Sequence, residues 1–181
     1  MSAIRVWGAV LLAIRMKLDT TGSLQSPATP VWHELHSMKT VEKSVLIWFS
    51  AREMFDLIVD VPSYPQFLPW CDKADILTTT DDGMTARIGM AFGGLHKSFT
   101  TANTHIDGRQ VKLDLIDGPF KHLSGVWDFI PVGEEQACRV ELKLSYSFDS
   151  MFGAIVGPVF DKIASTLVDA FVKRAEAVYQ R

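Results

Sequence analysis

The chain has 181 residues, of which 48% are hydrophobic, 22% charged and 10% aromatic. These fractions are ordinary for a globular domain and exclude a disordered chain, a collagen-like repeat and a coiled-coil rod. The net charge of −3 gives no general attraction for nucleic acid, so DNA is not an expected partner.

Residues 1–37 differ in composition from the rest of the chain. Three basic and two acidic residues give them a net charge of +1, which leaves −4 for residues 38–181. Residues 1–18 lack acidic side chains and place apolar ones on one helical face, and a small, polar, proline-containing stretch follows at 20–30. The longest uncharged apolar run, residues 6–14, is far shorter than the ~20 residues that cross a bilayer.

Three interpretations of this extension remain open. Translation starts at Met38, or the segment is an amphipathic targeting or membrane-surface helix such as a mitochondrial transit peptide, or it is a secretory signal. The secretory signal is disfavoured because Arg15 and Lys17 follow the apolar run directly. We therefore predict two parts: an extension at 1–37, disordered or upstream of the natural start, and one folded domain at 38–181.

The folded part begins with a strand and a short helix. Residues 41–49 alternate and are rich in β-branched and aromatic side chains, which predicts a strand. Ser50 with Glu53 three residues later is typical of a capping box at a helix start. A helical stripe of apolar residues follows, and Pro62 is predicted to end this helix.

Six further strands follow, separated by turn sequences rich in glycine and aspartate. Each strand alternates between apolar and polar residues, which predicts an antiparallel meander with one apolar face. The predicted strands are 74–80, 84–92, 97–105, 111–115, 124–131 and 138–148.

The last element is a long helix over residues 150–180, with Gly157-Pro158 predicted to kink it or to divide it in two. The apolar sheet face needs a cover, and this helix is the only large element left to provide it. A twisted antiparallel sheet curls, so a straight helix leaves a tunnel or cleft between the two layers.

The side chains predicted to face this space are nearly all hydrocarbon, and both a solid core and a pocket for an apolar ligand fit that pattern. As ligand-binding residues we select large apolar side chains from the sheet, the loop after the first helix and the last helix: Phe67, Trp70, Met90, Phe92, Phe99, Phe120, Trp127, Phe160, Ile163, Leu167 and Phe171.

Catalytic and metal sites are not predicted. His96, His105 and His122 fall in three separate strand-edge regions, and neither Cys71 nor Cys138 pairs with a histidine. The nucleophile-elbow, phosphate-loop and dinucleotide motifs do not occur in the sequence. Two cysteines also do not make a disulfide framework.

Several motifs of the folded part together resemble a known family. They are Tyr64-Pro65-Gln66-Phe67-Leu68-Pro69-Trp70-Cys71, Phe99-Thr100-Thr101, Gly118-Pro119-Phe120, Gly157-Pro158-Val159-Phe160 and Leu167-Val168-Asp169-Ala170-Phe171. With these, residues 38–181 resemble the bacterial oligoketide cyclase/lipid-transport family, a START-like (SRPBCC) branch of the helix-grip superfamily. That branch includes coenzyme Q-binding proteins and ribosome association toxin (RatA-like) proteins.

The resemblance implies an α+β helix-grip fold, in which a curved seven-strand antiparallel sheet wraps around a long C-terminal helix. It also implies a hydrophobic ligand, ubiquinone or another polyprenyl lipid, that is carried in support of respiratory electron transport. No other cofactor is expected. Aromatases related to this family need polar groups inside the tunnel, so we predict a binding protein and place a cyclase last.

The alternative function is a ribosome association toxin that binds the large ribosomal subunit and blocks subunit joining. Its basic patch would have to come from the last helix, where Lys162, Lys173, Arg174 and Arg181 lie. The expected location is the cytoplasm, with transient contact at the inner membrane surface. A mitochondrial location is the alternative if residues 1–37 are a transit peptide.

Overall fold

The computed structural model describes residues 38–92, 94–134, 136–148 and 150–180, with the backbone alone at 92 and 150–152. The predictions for residues 1–37 therefore lie outside the described residues. In chain order the elements are β1 (Lys39–Ile47), α1 (Ala51–Val59), a 3-10 helix (Val61–Gln66), β2 (Cys71–Thr80), β3 (Gly83–Phe92), β4 (Leu95–Ile106), β5 (Gln110–Asp117), β6 (Phe120–Val132), β7 (Ala137–Phe148) and α2 (Ser150–Tyr179).

The seven strands form one antiparallel sheet in the order β1-β7-β6-β5-β4-β3-β2. Strands β2 to β7 follow one another as a meander, and β1 joins the far edge by pairing with β7 from Lys39↔Tyr146 to Ile47↔Cys138. The sheet is curved, and its inner face meets α2. The predicted α+β fold, with seven antiparallel strands and a long C-terminal helix, is thus confirmed.

The capping box at the start of α1 is present as predicted. The Ser50 hydroxyl accepts a hydrogen bond from the Glu53 backbone N–H at 3.1 Å, and the Ser50 backbone N–H donates to the Glu53 carboxylate at 2.8 Å. The box fixes where the chain leaves β1. The helix ends two residues earlier than the apolar stripe suggests, at Val59, and Pro62 lies in the first turn of the 3-10 helix.

Replacing Ser50 with alanine is expected to lower the free energy of unfolding by about 1 kcal/mol, because the Glu53 N–H loses its acceptor. Urea unfolding followed by circular dichroism measures the loss. Ser63→Ala, in the neighbouring 3-10 helix, is the control and should change stability by less than about 0.5 kcal/mol because its hydroxyl bond is exposed. An equal loss in both variants would contradict a specific role for the cap.

Helix α2 is continuous from Ser150 to Tyr179 with Pro158 inside it. Of the two predicted outcomes at Gly157-Pro158, division into two helices is therefore wrong. Proline removes one backbone hydrogen bond from a helix. Here Val156 and Phe160, on either side of it, are both buried against the rest of the core, and this packing holds the helix together across the proline.

Two polar contacts hold α2, one in its first half and one at its last residue. In its first half Asp161 accepts hydrogen bonds from the Tyr146 hydroxyl at 2.7 Å and from Lys39 Nζ at 2.6 Å, which ties the helix to β7 and β1. At its last residue the Tyr179 hydroxyl donates to the Glu53 carbonyl of α1 at 3.0 Å. The residues between these two contacts span the concave sheet face.

The Asp161 contact predicts a pH-dependent stability. Burial disfavours the carboxylate, but the hydrogen bonds from Lys39 and Tyr146 outweigh burial and lower the pKa of Asp161 below its ordinary value. A lowered folded-state pKa stabilises the protein above the unfolded pKa of about 4 and loses that effect as the pH falls through the folded value. The stabilisation is about 1 kcal/mol or less because both ionic side chains are partly exposed.

We therefore expect Asp161→Asn to be less stable than the native chain at pH 7, with a difference that narrows as the pH falls below about 4. Urea midpoints measured between pH 2.5 and pH 7 check this. Asp169→Asn, on an exposed site of the same helix, is the matched control. A stability gap that is as large at pH 2.5 as at pH 7 would show that the carboxylate charge is not the source.

Candidate functional site

A cavity of about 100 Å³ lies between the inner sheet face and the middle of α2. It occurs where α2 crosses the sheet between its two polar contacts. Its walls are the 3-10 helix and the loop after it, strands β3 to β7, and one face of α2. They comprise Val61, Tyr64, Leu68, Trp70, Ala86, Ile88, Phe99, Thr101, Asn103, Leu113, Leu123, Trp127, Leu144, Phe160, Ile163, Ala164, Leu167 and Phe171.

Packed aromatic rings line two parts of the cavity wall. Phe99 meets Phe120 edge to face with 5.4 Å between ring centroids, and Phe120 meets Phe160 at 4.9 Å. Trp127 and Phe171 form another edge-to-face pair at 5.5 Å. These contacts keep the side chains from collapsing into the empty space, so the hollow is part of the packed fold.

Three polar side chains interrupt the apolar wall. The Tyr64 hydroxyl donates to the Ile58 carbonyl at 2.7 Å and is therefore satisfied. Thr101 is buried at 4% exposure, and Asn103 lies two residues further along the same strand. The side-chain oxygen of Asn103 is buried and has no hydrogen-bond partner among the described residues.

Most of the predicted ligand-binding residues lie around this cavity. Seven line it: Trp70, Phe99, Trp127, Phe160, Ile163, Leu167 and Phe171. Whether they bind a ligand stays a prediction. Met90 is fully buried, and Phe120 supports the rings of the cavity wall from behind, so neither lines the space. Phe67 faces an outer groove, and the side chain of Phe92 lies outside the described residues.

Thr101 and Asn103 were missed as wall residues. The alternation of β4 contains the signal, since Phe99, Thr101 and Asn103 are two residues apart and must share one face of the sheet. Selecting large apolar residues alone removed them. A period-two count along β4 from Phe99 would have found both.

An outer groove of about 530 Å³ runs along the other side of the cavity wall. Gln66 to Trp70 form one bank, and α2 forms the other. Leu68, Trp70 and Leu167 line both the groove and the cavity, so these three side chains form the partition between them. Arg174 holds the banks together, because it donates to Gln66 Oε1 at 2.8 Å and its guanidinium lies 5.2 Å from the centre of the Phe67 ring.

The described residues form neither a nucleophilic catalytic site nor a metal-binding site. Burial raises the pKa of Cys71 and of Cys138 to about 11, so both thiols are protonated near neutral pH. His96 pairs with Asp72 at 2.9 Å on the surface, and His122 contacts Ser124 at 3.0 Å. No group of three or more metal-binding side chains occurs in the part of the chain that the structure describes.

Sequence comparison places this geometry in a family. The model of a family described as polyketide cyclase/dehydrase and lipid transport matches residues 47–172, which cover the whole cavity wall. The chain belongs to this family. The resemblance inferred from its motifs is thereby confirmed.

Two relatives carry different functional names. A protein of Vibrio cholerae named ribosome association toxin RatA is 42% identical over 143 residues, which are 78% of this chain and 99% of the relative. A mitochondrial coenzyme Q-binding protein COQ10 homolog B of Xenopus laevis is 29% identical over 77% of this chain and 59% of its own length. The relatives include both groups that the motifs resemble.

Two solved structures share the fold. A START superfamily protein from Mycobacterium smegmatis superposes with a TM-score of 0.62 at 23% identity, over 78% of this chain and 97% of the other. An aromatase/cyclase from a Streptomyces species gives a TM-score of 0.63 at 19% identity, over 77% and 94%. At these identities the likeness establishes a shared architecture and carries no reaction over to this chain.

Proposed function

We propose that this protein binds a hydrophobic small molecule of the polyprenyl quinone or lipid class in the cavity under α2. The observation that supports this most is a hollow with an almost wholly apolar wall, under a helix that polar contacts hold at Asp161 and at Tyr179. Apolar walls with few polar groups are typical of small-molecule sites. The COQ10 homologue among the relatives supports a quinone as the ligand.

The size of the cavity defines how such a ligand is accommodated. About 100 Å³ is below the ~300–1,000 Å³ of ordinary ligand pockets. A ligand larger than one small ring must therefore displace part of the wall. The partition of Leu68, Trp70 and Leu167 is the part that borders open space, so a tail extends through it into the outer groove.

Native mass spectrometry of the purified full chain, followed by solvent extraction, tests the proposal. The expected result is a bound apolar molecule at one per chain, and quenching of tryptophan fluorescence when a short-tailed ubiquinone is added, since Trp70 and Trp127 line the cavity. Absence of any bound lipid, together with no quenching at micromolar ubiquinone, would contradict ligand binding.

A second candidate, ribosome association, is supported by the relatives named RatA, which match 78% of this chain at about 40% identity. It is compatible with the first, because the cavity is internal and a ribosome contact uses the outer surface. A bacterial cytoplasmic location follows from this candidate. In the described residues no helix has the length and hydropathy to cross a bilayer.

The surface of α2 limits how a ribosome contact can form. Lys162 and Lys173 lie on one exposed helix face, but Asp169 lies on the same face between them. Arg174 is engaged with Gln66, and Arg181 lies outside the described residues. Since mixed charge weakens attraction to phosphate, contact with ribosomal protein or shape recognition must contribute.

Sucrose-gradient sedimentation of ribosomes with the added full chain tests ribosome association. Free subunits are expected to increase at the expense of joined ribosomes, and the protein is expected in the large-subunit fractions. Lys162→Glu with Lys173→Glu should weaken this several-fold if the α2 face takes part. Unchanged profiles at stoichiometric excess would rule this candidate out.

Catalysis is not part of the proposed function. The cyclase-type neighbours are distant in sequence, and the relatives named above carry non-enzymatic names. Within the described cavity wall, Thr101 and Asn103 are polar groups that can orient a ligand, but neither is a general base near neutral pH.

A further inference from the structure

The unpaired amide oxygen of Asn103 is an anomaly in the cavity wall. Buried polar atoms in proteins are nearly always hydrogen-bonded, because an unpaired one keeps the full cost of losing water. The surrounding wall is hydrocarbon and aromatic, with the Leu113 and Trp127 side chains among the residues that line the space with it. The missing partner must therefore come from what occupies the cavity.

The position of Asn103 defines one end of the cavity. Phe99 and Asn103 lie on the same face of β4, four residues or about 13 Å apart. Phe99 belongs to one of the two aromatic parts of the wall, next to Phe120. The cavity is thus apolar at the Phe99 end and has an amide at the other.

The outer groove borders both ends of the cavity wall. On one bank Phe67 meets Phe171 at 5.1 Å, and Phe171 meets Trp127, which lies in the same row of the sheet as His105, at 5.5 Å. The Trp70 carbonyl accepts a hydrogen bond from the Ala91 backbone N–H at 2.8 Å, and Ala91 pairs with His96 near the start of β4. From His96 to Asn103 the strand runs seven residues, or about 23 Å. The groove therefore does not fix which end of a ligand enters first.

The polar residues on this face of β4 continue beyond the cavity wall. His105, the next residue on the same face of β4, has a buried Nε2 atom without a partner among the described residues, and its ring packs edge to face on Phe55 at 5.8 Å. Thr101 lies on the other side of Asn103. The amide thus sits within a short polar strip along an otherwise apolar strand face.

We infer that the ligand carries a hydroxyl group, which donates a hydrogen bond to Asn103 Oδ1 while the apolar body lies toward Phe99. This inference rests on the proposed function and adds the chemical class: a phenol, a hydroquinone or a long-chain alcohol. A hydroxyl is required because an amide oxygen only accepts, whereas a quinone carbonyl or an ether provides no donor. For a redox-active quinone, the reduced form binds more tightly than the oxidised form, which is held by its apolar contacts alone.

The test compares two probes of nearly equal shape, decylhydroquinone and its dimethyl ether, by quenching of tryptophan fluorescence in the full chain. The native chain is expected to bind the hydroquinone at least tenfold more tightly than the ether. Asn103→Leu is expected to bind both within twofold of each other, with an unchanged or higher urea midpoint because an unpaired polar group has been removed. Thr104→Val, at an exposed position on the opposite face of the same strand, is the matched control and should keep the native preference.

The outcomes separate this inference from the proposed function. Equal binding of both probes by the native chain would overturn the hydroxyl inference, because a trapped water would then satisfy Asn103, and would leave ligand binding in place. A preference that survives in Asn103→Leu would overturn the assignment to Asn103. Failure of the native chain to bind either probe would overturn both the inference and the proposed function.

Discussion

Replacing Phe171 with alanine is expected to lower the free energy of unfolding by about 3–5 kcal/mol, the largest stability effect of any substitution proposed for this protein. Phe171 is 2% exposed, and its ring meets those of Phe67, Tyr64 and Trp127 edge to face at 5.1, 5.3 and 5.5 Å. Alanine loses these contacts together with the burial of the ring. The empty space also joins the existing cavity, so the wall cannot collapse to fill it.

Urea unfolding of the full chain measures this loss, with the slope of the transition expected to stay unchanged. Val178→Ala, on the exposed side of the same helix, is the matched control and should cost less than about 0.5 kcal/mol. A loss below about 1.5 kcal/mol for Phe171→Ala would show that neighbouring side chains close over the gap. The helix would then be held mainly by its two polar contacts.

The fold was predictable because its signals are local and repeated. Alternation along β7, where Val140, Leu142, Leu144 and Tyr146 are all buried, leaves only one register that covers the apolar face. The capping box at Ser50 fixed a helix start to the residue. At Pro158 a kink or a division of the helix was expected, and the division does not occur, because burial of the residues on both sides of the proline outweighs the loss of one backbone hydrogen bond.

The site was less predictable, because a cavity-lining residue differs from a core residue only in that one of its sides borders empty space. Met90 and Phe99 are both large apolar residues on inward strand faces, yet Met90 is packed on all sides and Phe99 borders the hollow. Hydrophobicity cannot distinguish these two cases. The distinction depends on where α2 lies over the sheet, which is set by distant contacts such as Lys39 with Asp161, 122 residues apart.

The two candidate functions draw on different parts of the molecule. The proposed ligand binding uses side chains that face inward from α2, such as Ile163 and Leu167, and the proposed ribosome association uses exposed residues of the same helix, such as Lys162 and Lys173. The helix also carries the partition through Leu167. A ligand that displaces Leu167 would therefore move the surface that a ribosome contact uses, and the cavity would regulate the contact.

Substitutions that fill the cavity test whether ligand binding and the ribosome contact are linked. Ala164 is fully buried on α2 and lines the hollow, so Ala164→Leu places three more carbons in space that is empty. We expect at least a tenfold loss of affinity for a short-tailed ubiquinone, with stability unchanged or higher by up to about 1 kcal/mol, as cavity-filling substitutions commonly give. Fluorescence titration and urea unfolding measure the two effects.

Ala154→Leu, the same substitution at an exposed position of α2, is the matched control and should bind like the native chain. Ala86→Val, which fills the cavity from β3, checks that the loss comes from the cavity and not from a disturbed helix. Native affinity in both cavity-filled variants would place the ligand elsewhere. If these variants lose the ligand and still shift ribosome profiles like the native chain, the ribosome contact is independent of the cavity. If they lose both the ligand and the effect on ribosome profiles, the occupied cavity sets the position of α2 that the ribosome recognises.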